Sequence, residues 1–213
     1  MMHKIIVVGI GPGDPAYLLP KAQKMIEKAR ILVGGRRALA DYSHSGAREC
    51  VIGADIPGVL AFIRDALAED DVVVMVSGDP GYYSLLDALR RTFSVGQIEV
   101  VPGISSLQLA FARLALPWHD ARLLSFHGRE PLETELVRTD GAVLGMLTDG
   151  RSNSQTIAAR LLSRGWREGD IMYVCTRLSY ADERVIETTL GAAQNDEGIG
   201  HGVIVVCAQE EEL

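Results

Sequence analysis

The chain has 213 residues and a mass of 23.1 kDa, enough for one large domain or two of about 100 residues each. Hydrophobic residues at 47% against 23% charged exclude wholesale disorder. A balance of 21 Lys+Arg to 28 Asp+Glu gives a net charge of -7, which argues against a nucleic-acid-coating or membrane-surface protein but permits an anionic small substrate.

Ile5-Ile6-Val7-Val8 is a β-branched run of the kind buried on both faces of a sheet. Leu18 to Ala29 follows helical spacing, and Ile31-Leu32-Val33 is a second short strand stopped by Gly34-Gly35. Pro57 to Ala68 predicts a helix with proline in its first turn, and Val72–Val76 is the clearest strand. A helix around Tyr82–Arg91, a strand around Ile98–Val101 and a helix from Ser105 to Leu114 follow. Leu116-Pro117-Trp118-His119-Asp120 breaks the pattern, and Trp118 is expected to pack the two halves together. Beyond it come strands at 123–126, 142–147, 171–175, 184–189 and 203–208, with a helix near 154–163. The last two strands have no long helix between them and suit an antiparallel portion. Alternating strands and helices predict two α/β domains, 1–116 and 117–213, the first with a mostly parallel sheet. Glu210-Glu211-Glu212 reads as a solvated tail.

Three cysteines, Cys50, Cys175 and Cys207, are too scattered for a disulfide framework or a zinc site, so no metal site and a reducing cytoplasm are expected. No apolar run of about 18 residues is long enough to span a bilayer, and no signal-peptide pattern is present.

The chemistry-bearing motifs are loops after strands. Gly9-Ile10-Gly11-Pro12-Gly13-Asp14-Pro15 has the glycines of a ligand loop but not the spacing of a dinucleotide fingerprint. Its prolines lack amide donors, and Asp14 puts negative charge where a diphosphate would sit. Ser77-Gly78-Asp79-Pro80-Gly81-Tyr82-Tyr83-Ser84 and Val101-Pro102-Gly103-Ile104-Ser105-Ser106 follow two further strands. Each alone reads as a tight turn with a capping Asp or Ser. Together they suit a ligand carrying hydroxyls, an amine or a cation, and S-adenosylmethionine has all three.

Through these motifs the chain resembles the tetrapyrrole methylases. Met146-Leu147-Thr148-Asp149-Gly150-Arg151 and Glu183–Leu190 look like the branch that methylates C5 of the precorrin ring in cobalamin synthesis. The resemblance implies two α/β domains with S-adenosylmethionine between them, a precorrin or cobalt-precorrin substrate and a homodimer. It also implies a separate C15-methylating, decarboxylating partner, since that activity is fused to this one in some family members. It carries over a cofactor site in which Pro12 lines the donor, Gly78, Asp79 and Tyr82 meet its methionine part, and Ser105 and Ser106 lie beside them. Met146 and Leu147 would enclose the adenine, with Cys175 and His201 nearby.

Methyl transfer is an in-line displacement that needs alignment and desolvation rather than an activated Ser or Cys. Two groups are candidate bases: Asp14, whose alternative is a helix cap, and His127, whose alternative is structural. Substrate carboxylates call for guanidinium partners, for which Arg36-Arg37, Arg129 and Arg151 are candidates, each in an expected loop after a strand. The readings held beside this one are methylation of another precorrin carbon, a non-catalytic adenosyl-ligand-binding module, and an NAD-dependent dehydrogenase.

Overall fold

The computed structural model describes residues 3–209, so the acidic tail lies outside the described residues. The chain divides into two compact units, Met1–Ser105 and Ser106–Leu213, each built on its own five-stranded sheet.

In the first unit, β1 (Ile5–Gly9), β2 (Ile31–Gly34), β3 (Arg48–Val51), β4 (Val72–Val76) and β5 (Ile98–Val101) form an all-parallel sheet of order β3-β2-β4-β1-β5. The central strands are continuous apolar runs because both faces are covered. Ile6, Val8, Leu32, Val73 and Met75 point to α1 (Pro20–Lys28) and α2 (Arg36–Tyr42), where they meet Ala22, Ile26, Ala38 and Leu39. Ile5, Val7, Val33, Val72 and Val74 point the other way, toward α3 (Ile56–Ala66) and α4 (Leu86–Thr92), meeting Val59, Ile63 and Leu89. Side chains as deeply buried as Ile5 and Val74 each stabilise this core by about 2 kcal/mol. Asp55 caps α3, its carboxylate accepting from the Gly58 amide at 2.9 Å, and so fixes the helix start beside Pro57.

In the second unit, β6 (Arg122–Ser125), β7 (Val143–Leu147), β8 (Ile171–Thr176), β9 (Arg184–Thr189) and β10 (Gly202–Cys207) form a mixed sheet of order β6-β7-β10-β8-β9. β6 and β7 are parallel, and the other pairings are antiparallel, as expected for the end of the chain. One face packs on α6 (Ser154–Leu162), Trp166 and α7 (Leu190–Ala193). On the other lies α5 (Ser106–Arg113), with Leu107 and Phe111 set against Gly145. That packing assigns α5 to the second unit, so the division falls at Ser105/Ser106 instead of at 116/117.

Other differences from the sequence reading have local causes. Arg36 and Arg37 open α2 instead of lying in a loop. The helix expected from Tyr82 begins only at Leu86, because Tyr83 has φ +50°, outside the right-handed helical region. Trp118 is 44% exposed, in a turn before β6. The buried indole is Trp166, which donates its Nε1–H to the Leu136 carbonyl at 2.7 Å. No helix among the described residues is long and apolar enough to cross a membrane.

Candidate functional site

β4, β1 and β5 are neighbours and parallel, so their carboxyl ends bring the three glycine loops to one edge of the first sheet. A Cβ on Gly103 would stand 2.2 Å from the Gly78 carbonyl oxygen, and one on Gly9 would stand 2.5 Å from that oxygen and 2.7 Å from the Gly103 backbone. Backbone already fills that space, so these positions admit only glycine. Gly78 donates its N–H to the Gly11 carbonyl at 2.8 Å, and both residues take the left-handed φ that glycine permits, +68° and +76°.

Asp79 closes the frame. One carboxylate oxygen accepts from the Gly81 amide at 2.8 Å and the other from the Gly103 amide at 3.0 Å, which ties the second loop to the third. Asp14 caps the short 3-10 turn at Pro15–Tyr17, its Oδ1 accepting from the Ala16 amide at 2.8 Å, so the capping role raised from sequence is realised. Pro12, Gly78, Tyr82 and Ser105 are partly exposed around this frame, and Ser106 opens α5.

The loop residues 9–15, 77–84 and 101–106 contain no lysine or arginine and carry the carboxylates of Asp14 and Asp79. Such an environment suits a cationic sulfonium and ligand hydroxyls or amines, and it opposes a diphosphate. The residues present therefore fit S-adenosylmethionine. Among the described residues no group of three His, Cys, Asp or Glu is placed to hold a metal ion.

The second unit gathers another set of expected residues. The carboxyl ends of β6, β7 and β8 and the amino end of β10 share one sheet edge. Val203 pairs with Leu147 on one side and Cys175 on the other, so these three occupy one row of the sheet. Met146, one residue earlier, points to the opposite face and is fully buried with Leu124, Val174 and Ile204. Its side chain is therefore core, and only Leu147 of the expected adenine pair presents a half-buried side chain. Burial, with the Glu183 carboxylate adding, pushes the Cys175 thiol up to about 12, which leaves it a protonated packing group at neutral pH.

His127, Arg129, Arg151 and His201 are all exposed on the loops at this edge. The organising residue is Asp149, which sequence reasoning quoted without giving it a role. Its Oδ1 accepts from the amides of Arg151 and Ser152, both at 2.8 Å, and its Oδ2 from the Gly128 amide at 3.4 Å. The Ser152 and Arg151 amides hold this carboxyl below its ordinary range, with Gly128 and His127 adding and partial burial opposing. His201, at φ +56°, lies against Gly150, where an added Cβ would stand 3.0 Å from its Nε2. An acidic residue just before Gly-Arg-Ser is the sequence signal for such an Asx turn. Thr148 joins β7 to β10, accepting the Gly202 amide at 2.9 Å and donating to its carbonyl at 3.1 Å. Glu183 accepts from Arg113 Nε at 2.5 Å and from the Ser179 amide at 2.6 Å, tying α5 to the loop after β8.

Arg36 and Arg37 are placed elsewhere, exposed on the first turn of α2 in the first unit, where Arg37 approaches Asp41 at 3.9 Å. The four arginines thus fall into two sets, one on each unit.

Comparison with known proteins decides the family. The family model for tetrapyrrole (corrin/porphyrin) methylases matches residues 4–194. The chain belongs to that family. Among its relatives is the cobalt-precorrin-7 C(5)-methyltransferase of Salmonella typhimurium, 31% identical over 94% of this chain and 98% of the relative. A precorrin-6Y C(5,15)-methyltransferase [decarboxylating] of a Sinorhizobium species is 32% identical over 97% of this chain but 49% of its own length. The crystal structure of precorrin-6Y methylase CbiE from Archaeoglobus fulgidus superposes with a TM-score of 0.74 at 25% identity, covering 98% of this chain and 100% of that one. The fold also matches uroporphyrin-III C-methyl transferase of Thermus thermophilus complexed with S-adenosyl homocysteine, with a TM-score of 0.75 and 23% identity over 99% of this chain and 96% of that one. In this tetrapyrrole methylase the glycine frame of the first unit and the Asp149-centred loops of the second are the two candidate ligand-handling regions.

Proposed function

We propose that the protein is an S-adenosylmethionine-dependent C-methyltransferase acting on C5 of a precorrin or cobalt-precorrin in cobalamin biosynthesis. The observation that carries this reading is the glycine frame at Gly9, Gly78 and Gly103, closed by Asp79 and devoid of cationic side chains. The likeness to the Salmonella relative over nearly the full length of both chains supports the choice of ring carbon.

When bound, S-adenosylmethionine supplies an electrophilic methyl group. What the chain supplies is position: the crowded glycines and the Asp79 clamp fix the loops that carry Pro12, Gly78, Asp79, Tyr82, Ser105 and Ser106, the proposed donor contacts. The buried Cys175 thiol forms no nucleophile, in keeping with an attacking carbon that belongs to the tetrapyrrole. Leu147, Cys175 and His201 enter the donor site in this proposal from the family resemblance, and Met146 enters by its backbone alone. Asp14 and His127 are the proposed proton acceptors after transfer. Arg36, Arg37, Arg129 and Arg151 are the proposed partners of the substrate carboxylates.

The proposal extends to a homodimer in the cytoplasm. It also includes a partner activity of C15 methylation and decarboxylation, since the name of the Sinorhizobium relative joins the two activities. The test is incubation with labelled S-adenosylmethionine and, in separate reactions, cobalt-precorrin-7 and cobalt-precorrin-4, followed by NMR location of the new methyl. Label at C5 of the first substrate supports the reading, and label at another carbon, or tight NAD binding in place of the donor, overturns it.

A further inference from the structure

We propose that Tyr83 is a substrate-binding residue whose ring offers an aromatic face to the tetrapyrrole macrocycle beside the donor loops, an assignment that rests on the function proposed above. Its backbone has φ +50°, which a bulky side chain rarely adopts and glycine or asparagine would adopt with little strain. The other non-glycine residues with positive φ among the described residues are Ala115, Arg177, Ser179 and His201, so this is the one tyrosine held so.

The surrounding turn enforces the conformation. Asp79 takes the Gly81 amide on its side chain and the Tyr82 amide on its carbonyl, at 2.8 and 3.2 Å. Ser84 donates its hydroxyl to the Pro80 carbonyl at 2.5 Å and accepts the Leu86 amide at 3.1 Å. The ring is then aimed by an edge-on contact with Tyr82, centroids 4.6 Å apart at 65°, and Tyr83 remains 41% exposed. A large aromatic kept exposed against a conformational penalty, on the loop one residue past the expected donor contact Tyr82, fits a flat conjugated partner.

The test compares Tyr83→Gly, which suits the backbone and removes the ring, with Tyr83→Phe, which keeps it. For Tyr83→Gly the expected result is a melting temperature within about 5 °C of wild type, relief of the left-handed φ offsetting the lost ring contact and the freer unfolded chain, and an S-adenosylhomocysteine Kd within about twofold. Its KM for cobalt-precorrin-7 should rise about tenfold, with most of that loss recovered in Tyr83→Phe. Uroporphyrin titration followed by absorbance should weaken in the same order. Unchanged KM and porphyrin affinity in Tyr83→Gly, or donor binding lost in parallel, would overturn the assignment. Should wild type bind both ligands without methylating cobalt-precorrin-7, the functional reading fails while the porphyrin titration still decides Tyr83. A wild type with neither methylation nor porphyrin binding overturns both.

Discussion

The two sheets hold their loops with different shares of backbone packing and side-chain ties, Asp79 supplying the side-chain tie between loops of the first unit. In the first unit the loops after β1, β4 and β5 are fixed backbone against backbone, with Gly9, Gly78 and Gly103 so close that no methyl group fits. In the second, side chains reach out to fix the loops: Asp149 to three amides, Thr148 to Gly202, Glu183 to Arg113 and Ser179. Arg160 adds a further tie, pairing with Glu130 and Glu133 and lying 5.3 Å over the Phe126 ring. Backbone crowding recurs there too, since a Cβ on Gly200 or Gly202 would stand 2.3 Å from the Asp149 or Cys175 carbonyl oxygen, so the second unit adds many side-chain ties to a glycine contact that both units share.

The largest effect is expected where a side-chain tie is fully buried. Asp170, with no exposure, accepts from Arg138 Nε at 3.0 Å and from the Arg167 and Gln209 amides, both at 2.8 Å. Replacing it by alanine leaves the Arg138 guanidinium, 8% exposed, without its main partner. A loss of about 3 to 5 kcal/mol is expected in urea denaturation. The pair also sets an acid limit. Burial opposes ionisation of Asp170, but Arg138 and the two amides outweigh it and hold the carboxyl below its ordinary value. Its contribution is therefore complete above the unfolded carboxyl's pKa, about 3.9, and is lost as pH falls through the lower folded value. Acid titration of wild type beside Asp170→Ala should show that the low-pH loss of stability is smaller in the variant.

Paired glycine substitutions sharpen the comparison. Gly103→Ala drives a methyl into backbone, for which about 3 kcal/mol of destabilisation and a loss of S-adenosylhomocysteine binding beyond about 100-fold are expected by calorimetry. The three nearest neighbours of a Cβ at Gly145 are side-chain atoms instead of backbone, Phe111 Cε2 at 2.8 Å and the Leu123 and Leu107 methyls at 3.0 and 3.1 Å. Gly145→Ala should cost about 1 to 2 kcal/mol. Equal costs would show that crowding by side chains at Gly145 is no softer than crowding by backbone at Gly103.

Removing the carboxylate clamp is a milder break. Asp79→Ala orphans the Gly81 and Gly103 amides and should cost about 1 to 3 kcal/mol, with S-adenosylhomocysteine affinity down about tenfold. The smallest effect concerns Cys175. With its thiol up to about 12, alkylation by iodoacetamide at neutral pH should be far slower in the folded protein than in urea, read by mass spectrometry.

What was legible in the sequence follows the same divide. Backbone crowding forces glycine, and glycine is visible, so the three loops and the buried β-branched strands around them could be read directly. β3 could not, because Arg48 and Glu49 on an edge strand are exposed and show no alternation. Nor could α2, a seven-residue helix without a side-chain cap. Met146 and Leu147 are adjacent in any motif, and only the register of β7 with β10 sends one to the core and the other to the opposite face. Asp149 and Tyr83 were in view as residue types, but an amide acceptor and a left-handed φ are products of the folded loops.

The position of β10 sets an order of assembly. Residues 202–207 lie between β7 and β8, so until they arrive both of those strands present open, apolar edges. A ribosome-bound nascent chain lacking this segment would already contain every strand of the parallel sheet but only an unzipped version of the other. Chaperones, or aggregation when they are scarce, should act on that half-made species.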